Sequence, residues 1–576
     1  VVSVQATFSA TVVDEWVRHG LRHAVVCPGS RSTPLALALA AREEIAVHVR
    51  LDERGAGFFA VGLGSRSGSP VVVLTTSGTA SVELHPAVVE AHHGRVPLIA
   101  CTADRPPELH HVGAPQTIEQ GSIFGPAVRW SCDPGVADAS ASATWRHLAR
   151  RAWEEACHGP FGPGPVHLNL AFRDPLVGEP APLPETLGAP ALPKAANAPV
   201  GVGVDISGWP AMRGIVVAGA GCGPPDRVLA LSDQLGWPVL ADPRSSCRRP
   251  SRLVVAAADA LARSAQFRRL LLPEIVLVLG APWASKALSG LLIEAAAAGA
   301  PVVAVDPWWQ WTDPDGIVTS TVRATPGAWL AAAVATLTGS AAGPHALGWT
   351  EAWQECEKVA QDAIDAVLAE EPEPMSEPLL ARRLLPLLAP DTCVVASSSM
   401  PVRTLEWFAP VMDEPPPVMA NRGANGIDGV ISTAQGVAAA GLGPVVGFVG
   451  DLAFFHDVSS LLRPVGAPTV NGCTLVVVDN GGGGIFNFLP QASMLSADRF
   501  EQLFGTPQAN DVASVATGFG LDVADVGTLG ELDAALRAVR RSRLAVVRVR
   551  VPDRRANVVL FDRIHRAVEE AVDRVL

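Results

Sequence analysis

Two polar residues stand directly behind apolar runs in the last third of the chain. Gly450-Asp451 follows Val445–Val449, and Asn480 with the glycine run Gly481–Gly484 follows Leu475–Val478. An aspartate and an amide at neighbouring strand ends can share one hard cation. Mg²⁺ takes oxygen ligands octahedrally and commonly fills some positions with phosphate oxygens. The Gly482 carbonyl could add a third protein ligand, and a glycine backbone can approach a diphosphate closely. Taken alone, these residues also fit a plain strand end and a flexible loop. Near the start of the chain, Leu51-Asp52-Glu53-Arg54-Gly55-Ala56-Gly57-Phe58-Phe59-Ala60 sets a carboxylate between an apolar strand and a small-residue helix. An apolar setting raises the pKa of such an acid and lets it share a proton. An isolated Asp-Glu-Arg is more commonly a solvated helix start.

Five cations, Arg31, Arg105, Lys286, Arg403 and Arg422, fall in turns after apolar runs or in distinctive strings. Guanidinium forks bind carboxylates bidentately, so a set of them suits a dianionic small molecule. Any one of them could equally be a surface ion-pair residue. The histidines, including His92-His93 and His110-His111, show no metal-ligand spacing. Nine scattered cysteines form no CxxC pair, and their odd number excludes full pairing within the chain; free thiols are expected.

These residues must be positioned by something. The chain repeats an apolar run, a Gly- or Ser-containing turn, then a helical stretch. Ala24–Cys27, Val71–Thr75, Ile215–Ala218, Ile275–Leu279, Cys393–Ala396, Val445–Val449 and Leu475–Val478 are such runs. That alternation predicts α/β domains with doubly wound parallel sheets, whose ligands sit at the carboxyl ends of the strands. At ~150 residues per domain, 576 residues make three or four domains. A proline-rich stretch at 175–210 and a polar one at 339–378, the latter with a helical patch around Trp349–Leu368, read as linkers. They divide the chain into 1–185, 200–340 and 375–576. The Gly219–Gly223 run is broken by Pro224-Pro225 and reads as a structural turn rather than a dinucleotide fingerprint. A net charge of −13 without basic runs argues against nucleic acid. No apolar run reaches the ~18 residues of a membrane helix, and Val1-Val2-Ser3-Val4 does not read as a signal peptide. A cytoplasmic protein is expected.

Five further strings belong together: Cys27-Pro28-Gly29-Ser30-Arg31-Ser32; Thr102-Ala103-Asp104-Arg105-Pro106-Pro107-Glu108; Gly113-Ala114-Pro115-Gln116; Asn421-Arg422-Gly423-Ala424-Asn425-Gly426-Ile427-Asp428-Gly429; and Gly483-Gly484-Ile485-Phe486. With the Asp451–Asn480 spacing of about 29 residues, they resemble the 2-succinyl-5-enolpyruvyl-6-hydroxy-3-cyclohexene-1-carboxylate synthase family of menaquinone biosynthesis, a branch of the thiamine-diphosphate superfamily. The resemblance spans almost the whole chain and is weakest in its middle. It implies a pyrimidine-binding, a central and a diphosphate-binding domain. It implies thiamine diphosphate with Mg²⁺, or Mn²⁺ in its place. Glu53 would face N1′ of the aminopyrimidine, and Asp451, Asn480 and Gly482 would hold the metal. Gly450 and Gly482 would line the cofactor, and Ile427, Ile485 and Phe486 would pack on it and on the substrates. The implied reaction decarboxylates 2-oxoglutarate and adds the remainder to isochorismate. Arg31, Ser32, Arg105, Gln116 and Lys286 would serve isochorismate; Ser399, Arg403 and Arg422 would serve the 2-oxoglutarate side. A homodimer or dimer of dimers is implied. Pro115, Ala287 and Asp479-Asn480-Gly481 depart from the family's usual residues. Another thiamine-dependent decarboxylase or an acetolactate-synthase-like carboligase would share Glu53 and the cation motif without needing the arginines. A non-catalytic ligand sensor on the same fold would be expected to have lost Glu53 or Asp451.

Overall fold

The structure, a computed structural model, describes residues 2–186, 188, 203–281, 284–308, 313–339, 342–462, 472–539 and 544–576. Part of the first linker-like stretch therefore lies outside the described residues. Three six-stranded sheets make up the molecule, and every strand pairing within them is parallel. The first runs, in spatial order, Ala46–Val49, His23–Val26, Val71–Thr75, Leu98–Asp104, Pro165–Ala171 and Trp130–Cys132. The third runs Val418–Ala420, Cys393–Ala396, Val445–Gly450, Cys473–Asp479, Leu544–Arg550 and Asp522–Val526. Both follow the order 2-1-3-4-6-5. The second sheet follows 3-2-1-4-5-6: Val254–Val255, Val239–Ala241, Gly214–Ala218, Ile275–Leu279, Val302–Val305 and Ser320–Val322.

Helices on both faces bury the central strands, which explains their continuous apolar runs. Alternate residues of one strand feed different cores. Val446 and Phe448 join a cluster with Trp353 and Phe561, while Val445 and Val449 join Ile431, Ala434 and Phe454. Within the second linker-like stretch, the helical patch expected around Trp349–Leu368 is the helix Pro344–Ala369. Its Trp349, Trp353, Cys356, Ala360, Ile364 and Leu368 repeat at helical spacing and are buried. They close one core shared by the second and third sheets.

At the second sheet's switch point, Gly219 and Gly280 are set by backbone packing. A Cβ on Gly219 would lie 1.8 Å from the Ala281 carbonyl oxygen, and Ala281 N donates to Ala220 O at 2.8 Å. This contact accounts for the glycine run as a structural turn. The first and third domains meet through helices Glu53–Ser67 and Val430–Ala439. Two glycines allow their backbones to touch: a Cβ on Gly62 would lie 2.2 Å from Thr433 O, and one on Gly436 2.1 Å from Phe59 O. Arg50 Nη1 donates to Gln435 Oε1 at 2.9 Å, Arg54 Nη2 to His456 O at 2.9 Å, and Ser459 Oγ to Asp52.

Candidate active site

The carboxyl ends of the third sheet carry the residues expected to hold a cation. Strand Val445–Gly450 ends directly in helix Asp451–His456, so Asp451 stands at the first helical position behind the uncrowded Gly450. Asp451 is 5% exposed; its Oδ1 accepts from Leu452 N and its Oδ2 from Gly482 N, both at 2.7 Å. Burial, with the nearby Asp479 and Glu377 charges, pushes its carboxyl up to about 7. Asn480 lies just past the adjacent strand. Its Nδ2 donates to Glu377 Oε1 at 2.7 Å, while its Oδ1 is buried and has no hydrogen-bond partner. A buried amide oxygen left without a donor is costly unless something positive meets it. Gly482 has φ +133°, and a Cβ there would strike Gly505 O at 2.1 Å, so only glycine fits. Its carbonyl already accepts from Gly484 N at 2.8 Å and keeps a second lone pair. An acid, an orphaned amide oxygen and a backbone carbonyl fit an oxygen-loving divalent cation. No cluster of three or more His, Cys, Asp or Glu side chains suited to a metal occurs among the described residues.

Glu377 was not foreseen from the sequence. It begins the helix Glu377–Leu384, about a hundred residues before Asn480, and no local pattern links the two. It is 4% exposed, and burial pushes its carboxyl up to about 6.

Glu53 opens helix Glu53–Ser67, with Asp52 as its N-cap, accepting from Arg54 N at 3.0 Å and Gly55 N at 3.2 Å. Asp52 takes the capping duty, which leaves the Glu53 carboxylate for other work. Glu53 is half-buried, and burial, then the charges of Asp52 and Glu83, raise its pKa above the ordinary glutamate value. Ile427 packs on the core of one face of the third sheet and Ile485 on that of the other. Phe486 follows Ile485 in the turn Gly484–Phe488, its ring 5.5 Å from that of Phe504.

The predicted substrate residues fall into two groups. Arg31, Ser32, Arg105 and Gln116 belong to the first domain. Arg31 Nη1 donates to Phe172 O at 2.9 Å and pairs with Asp174 at 3.3 Å, and its Nε is buried without a partner. Arg105 donates to Ser77 Oγ, and burial followed by the Arg31 charge lowers its pKa. Ser32 Oγ donates to Gly29 O at 3.0 Å. Gln116 is exposed, with φ +53°, against Gly78. The glutamine that organises this end is Gln120, four residues on. It is 1% exposed; its Oε1 accepts from Gly78 N at 2.8 Å and its Nε2 donates to Asn169 Oδ1 at 3.0 Å. Asn169 Nδ2 in turn donates to Asp104 Oδ2 at 2.9 Å, and Asp104 Oδ1 accepts from Arg105 N.

The second group lies where the second and third domains meet. Ser399 is the N-cap of helix Met400–Phe408 and holds φ +73°, a strained setting for a non-glycine residue. Its carbonyl accepts from Arg403 Nη1 at 2.7 Å. Burial lowers the pKa of Arg403. Burial, then Arg244 and Arg403, lower that of Arg422 to about 10. Arg244 itself forms a buried pair with Asp242, Nε to Oδ1 at 3.1 Å. Lys286, exposed at the start of helix Lys286–Ala297, is tied to this second group through its neighbours rather than to the first. Arg31 and Arg105 lie on the first domain and Arg403 and Arg422 on the third.

Three families match the chain in succession: the N-terminal TPP binding domain of thiamine pyrophosphate enzymes over residues 6–123, their middle domain over 194–393, and their C-terminal TPP binding domain over 404–549. Among curated proteins, the chain is 41% identical to a 2-succinyl-5-enolpyruvyl-6-hydroxy-3-cyclohexene-1-carboxylate synthase of Thermobifida fusca, covering 97% of each. It is 39% identical to a protein of the same name from Myxococcus xanthus over 96% of each. A third relative of that name, from Halobacterium salinarum, is 37% identical over 92% of each.

Proposed function

The chain belongs to the 2-succinyl-5-enolpyruvyl-6-hydroxy-3-cyclohexene-1-carboxylate synthase family, and on that premise we propose that it decarboxylates 2-oxoglutarate and joins the remainder to isochorismate. The observation that carries this reading is one cation cradle accompanied by two separate groups of cationic side chains, as two dianionic substrates require. Asp451, Asn480 and the Gly482 carbonyl would hold Mg²⁺, with Mn²⁺ acceptable to the same oxygen set. When bound, thiamine diphosphate supplies the electron sink for carbon dioxide loss. Glu53 would hold and share a proton at N1′ of its aminopyrimidine, a task suited to a carboxyl with a raised pKa. Ile427, Ile485 and Phe486 would keep water from the reacting carbon. Arg403 and Arg422, both half-buried and with the charge of Arg403 acting against that of Arg422, gain most from an incoming carboxylate, which supports their role on the 2-oxoglutarate side. Arg31 and Arg105 would serve isochorismate from the first domain, with Ser32 and Gln116; Lys286 would reach the same substrate from the second domain, on the side where the 2-oxoglutarate group lies.

We assign residues 1–185 to pyrimidine binding, 200–340 to the central domain and 375–576 to diphosphate and metal binding. A homodimer, or a dimer of such dimers, would bring the first domain of one subunit to the third domain of another. Among the described residues no helix is long and apolar enough to cross a membrane, and a cytoplasmic setting suits nine free thiols. Mass spectrometry of the products from 2-oxoglutarate, isochorismate, thiamine diphosphate and Mg²⁺ tests the proposal. The expected result is the carboxylate adduct with stoichiometric carbon dioxide. Carbon dioxide release without adduct would instead indicate a different thiamine-dependent decarboxylase.

A further inference from the structure

Helix Met400–Phe408 carries Arg403 and, three residues on, Glu406. Glu406 is 4% exposed and reaches out of the third domain. Its Oε2 accepts from Ala284 N at 2.8 Å and its Oε1 from Ser285 N at 3.0 Å. Those are the two residues before helix Lys286–Ala297. Ser285 is that helix's N-cap, accepting from Leu288 N at 3.1 Å and donating to Asp259. A third-domain carboxylate thus occupies the N-terminal end of a second-domain helix, where free N–H groups and the helix dipole favour an anion. The tie is reciprocal. Arg248 of the second domain, 3% exposed, donates to the carbonyls of Leu405, Glu406 and Ala409 at the other end of helix Met400–Phe408, where a cation is favoured.

We propose that Glu406 is a positioning residue for the acceptor substrate: by holding the Ala284–Ser285 turn, it fixes Lys286 at a set distance from Arg403 and Arg422. Lysine is a point charge on a flexible stem, so its reach depends on where its backbone is held. Lys286 is exposed at the first position of its helix. Removing Glu406 leaves two buried N–H groups unpartnered at the start of its helix, and that turn should loosen. Arg403 sits on a helix still held by Arg248 and by its own sheet, so the oxo-acid side should be less affected.

The inference rests on the proposed reaction and is tested with the full-length holoenzyme. Glu406→Gln keeps the volume but offers one acceptor oxygen in place of two. The expected result is a KM for isochorismate raised about tenfold or more, with the KM for 2-oxoglutarate and calorimetric thiamine diphosphate affinity within about twofold. In a Lys286→Ala background, Glu406→Gln should add less than about twofold, because its effect passes through that lysine. If Glu406→Gln does not fold by circular dichroism, Glu406→Asp, one methylene shorter, carries the same expectations. Equal increases in both KM values, or full additivity with Lys286→Ala, would overturn the inference. Wild-type enzyme that forms the adduct while Glu406→Gln matches it would overturn this inference alone. Wild-type enzyme that forms no adduct would overturn the proposed reaction and this inference with it.

Discussion

Only half of the Asn480 amide is satisfied: the nitrogen is held by Glu377, and the oxygen is left buried without a hydrogen-bond partner. On the proposed reading, a bound cation would offset the cost of that orphaned oxygen. Asp451→Ala, which removes the anionic ligand, should weaken thiamine diphosphate binding in the presence of Mg²⁺ by about tenfold or more in calorimetric titration. Unchanged affinity would remove Asp451 from the cradle. Glu53 makes a different trade. Its pKa is raised in the fold. A carboxyl raised in this way contributes stability while protonated and loses it as pH rises through the folded value. At pH 7 Glu53 is therefore a net cost. Glu53→Gln should raise the Tm at pH 7, with the gain fading below about pH 4, where both states of the wild type are protonated. The same variant should nearly abolish deuterium exchange at C2 of the bound cofactor; exchange at the wild-type rate would show that another group activates it. Glu53, Asp451 and Asn480 were legible in the sequence because each sits in a local string at a strand end. Glu377, Gln120, Asn169 and Glu406 were not. Each acts on a residue distant in the chain, and a single sequence holds no sign of such pairs.

The element that joins the first and third domains is a helix pair whose backbones touch at Gly62 and Gly436. A side chain at either position meets a carbonyl of the facing helix, which cannot rotate away as a side-chain end could. Gly436→Ala should therefore cost about 1–3 kcal/mol by overpacking despite the better helix propensity of alanine. Chemical denaturation measures this; a stabilised variant would mean that the helices separate without penalty. The strands Val71–Thr75, Ile275–Leu279 and Cys393–Ala396 begin and end where their apolar runs do. Buried on both faces, they are apolar but for the terminal Thr75. Leu98–Asp104 and Pro165–Ala171 are equally buried but carry Thr102, Asp104, His167 and Asn169, which disguise them. Those polar residues form the network behind Arg105. The helical patch around Trp349–Leu368 was legible, but its place in a core shared by two sheets was not, because its partners lie far off in the chain.

For the whole molecule, the charges around Glu53 come from its own domain and those around Asp451 from its own. The cations near Arg105 and those near Arg422 are likewise separate. If two subunits complete each site, mixing inactive Glu53→Ala and Asp451→Ala chains under subunit exchange should restore part of the activity. One hybrid site would then keep both native residues. A fully active monomer by light scattering would exclude the arrangement. The core shared by the second and third sheets has one more consequence. It runs from Ile215 to Val572, with helix Arg554–Asp573 packed on Pro344–Ala369. On the ribosome, helix Pro344–Ala369 emerges long before helix Arg554–Asp573, which packs against it. The central domain therefore waits, with an apolar flank open, until the last domain has been made. That interval is when a chaperone would be needed, and when this chain is most exposed to aggregation.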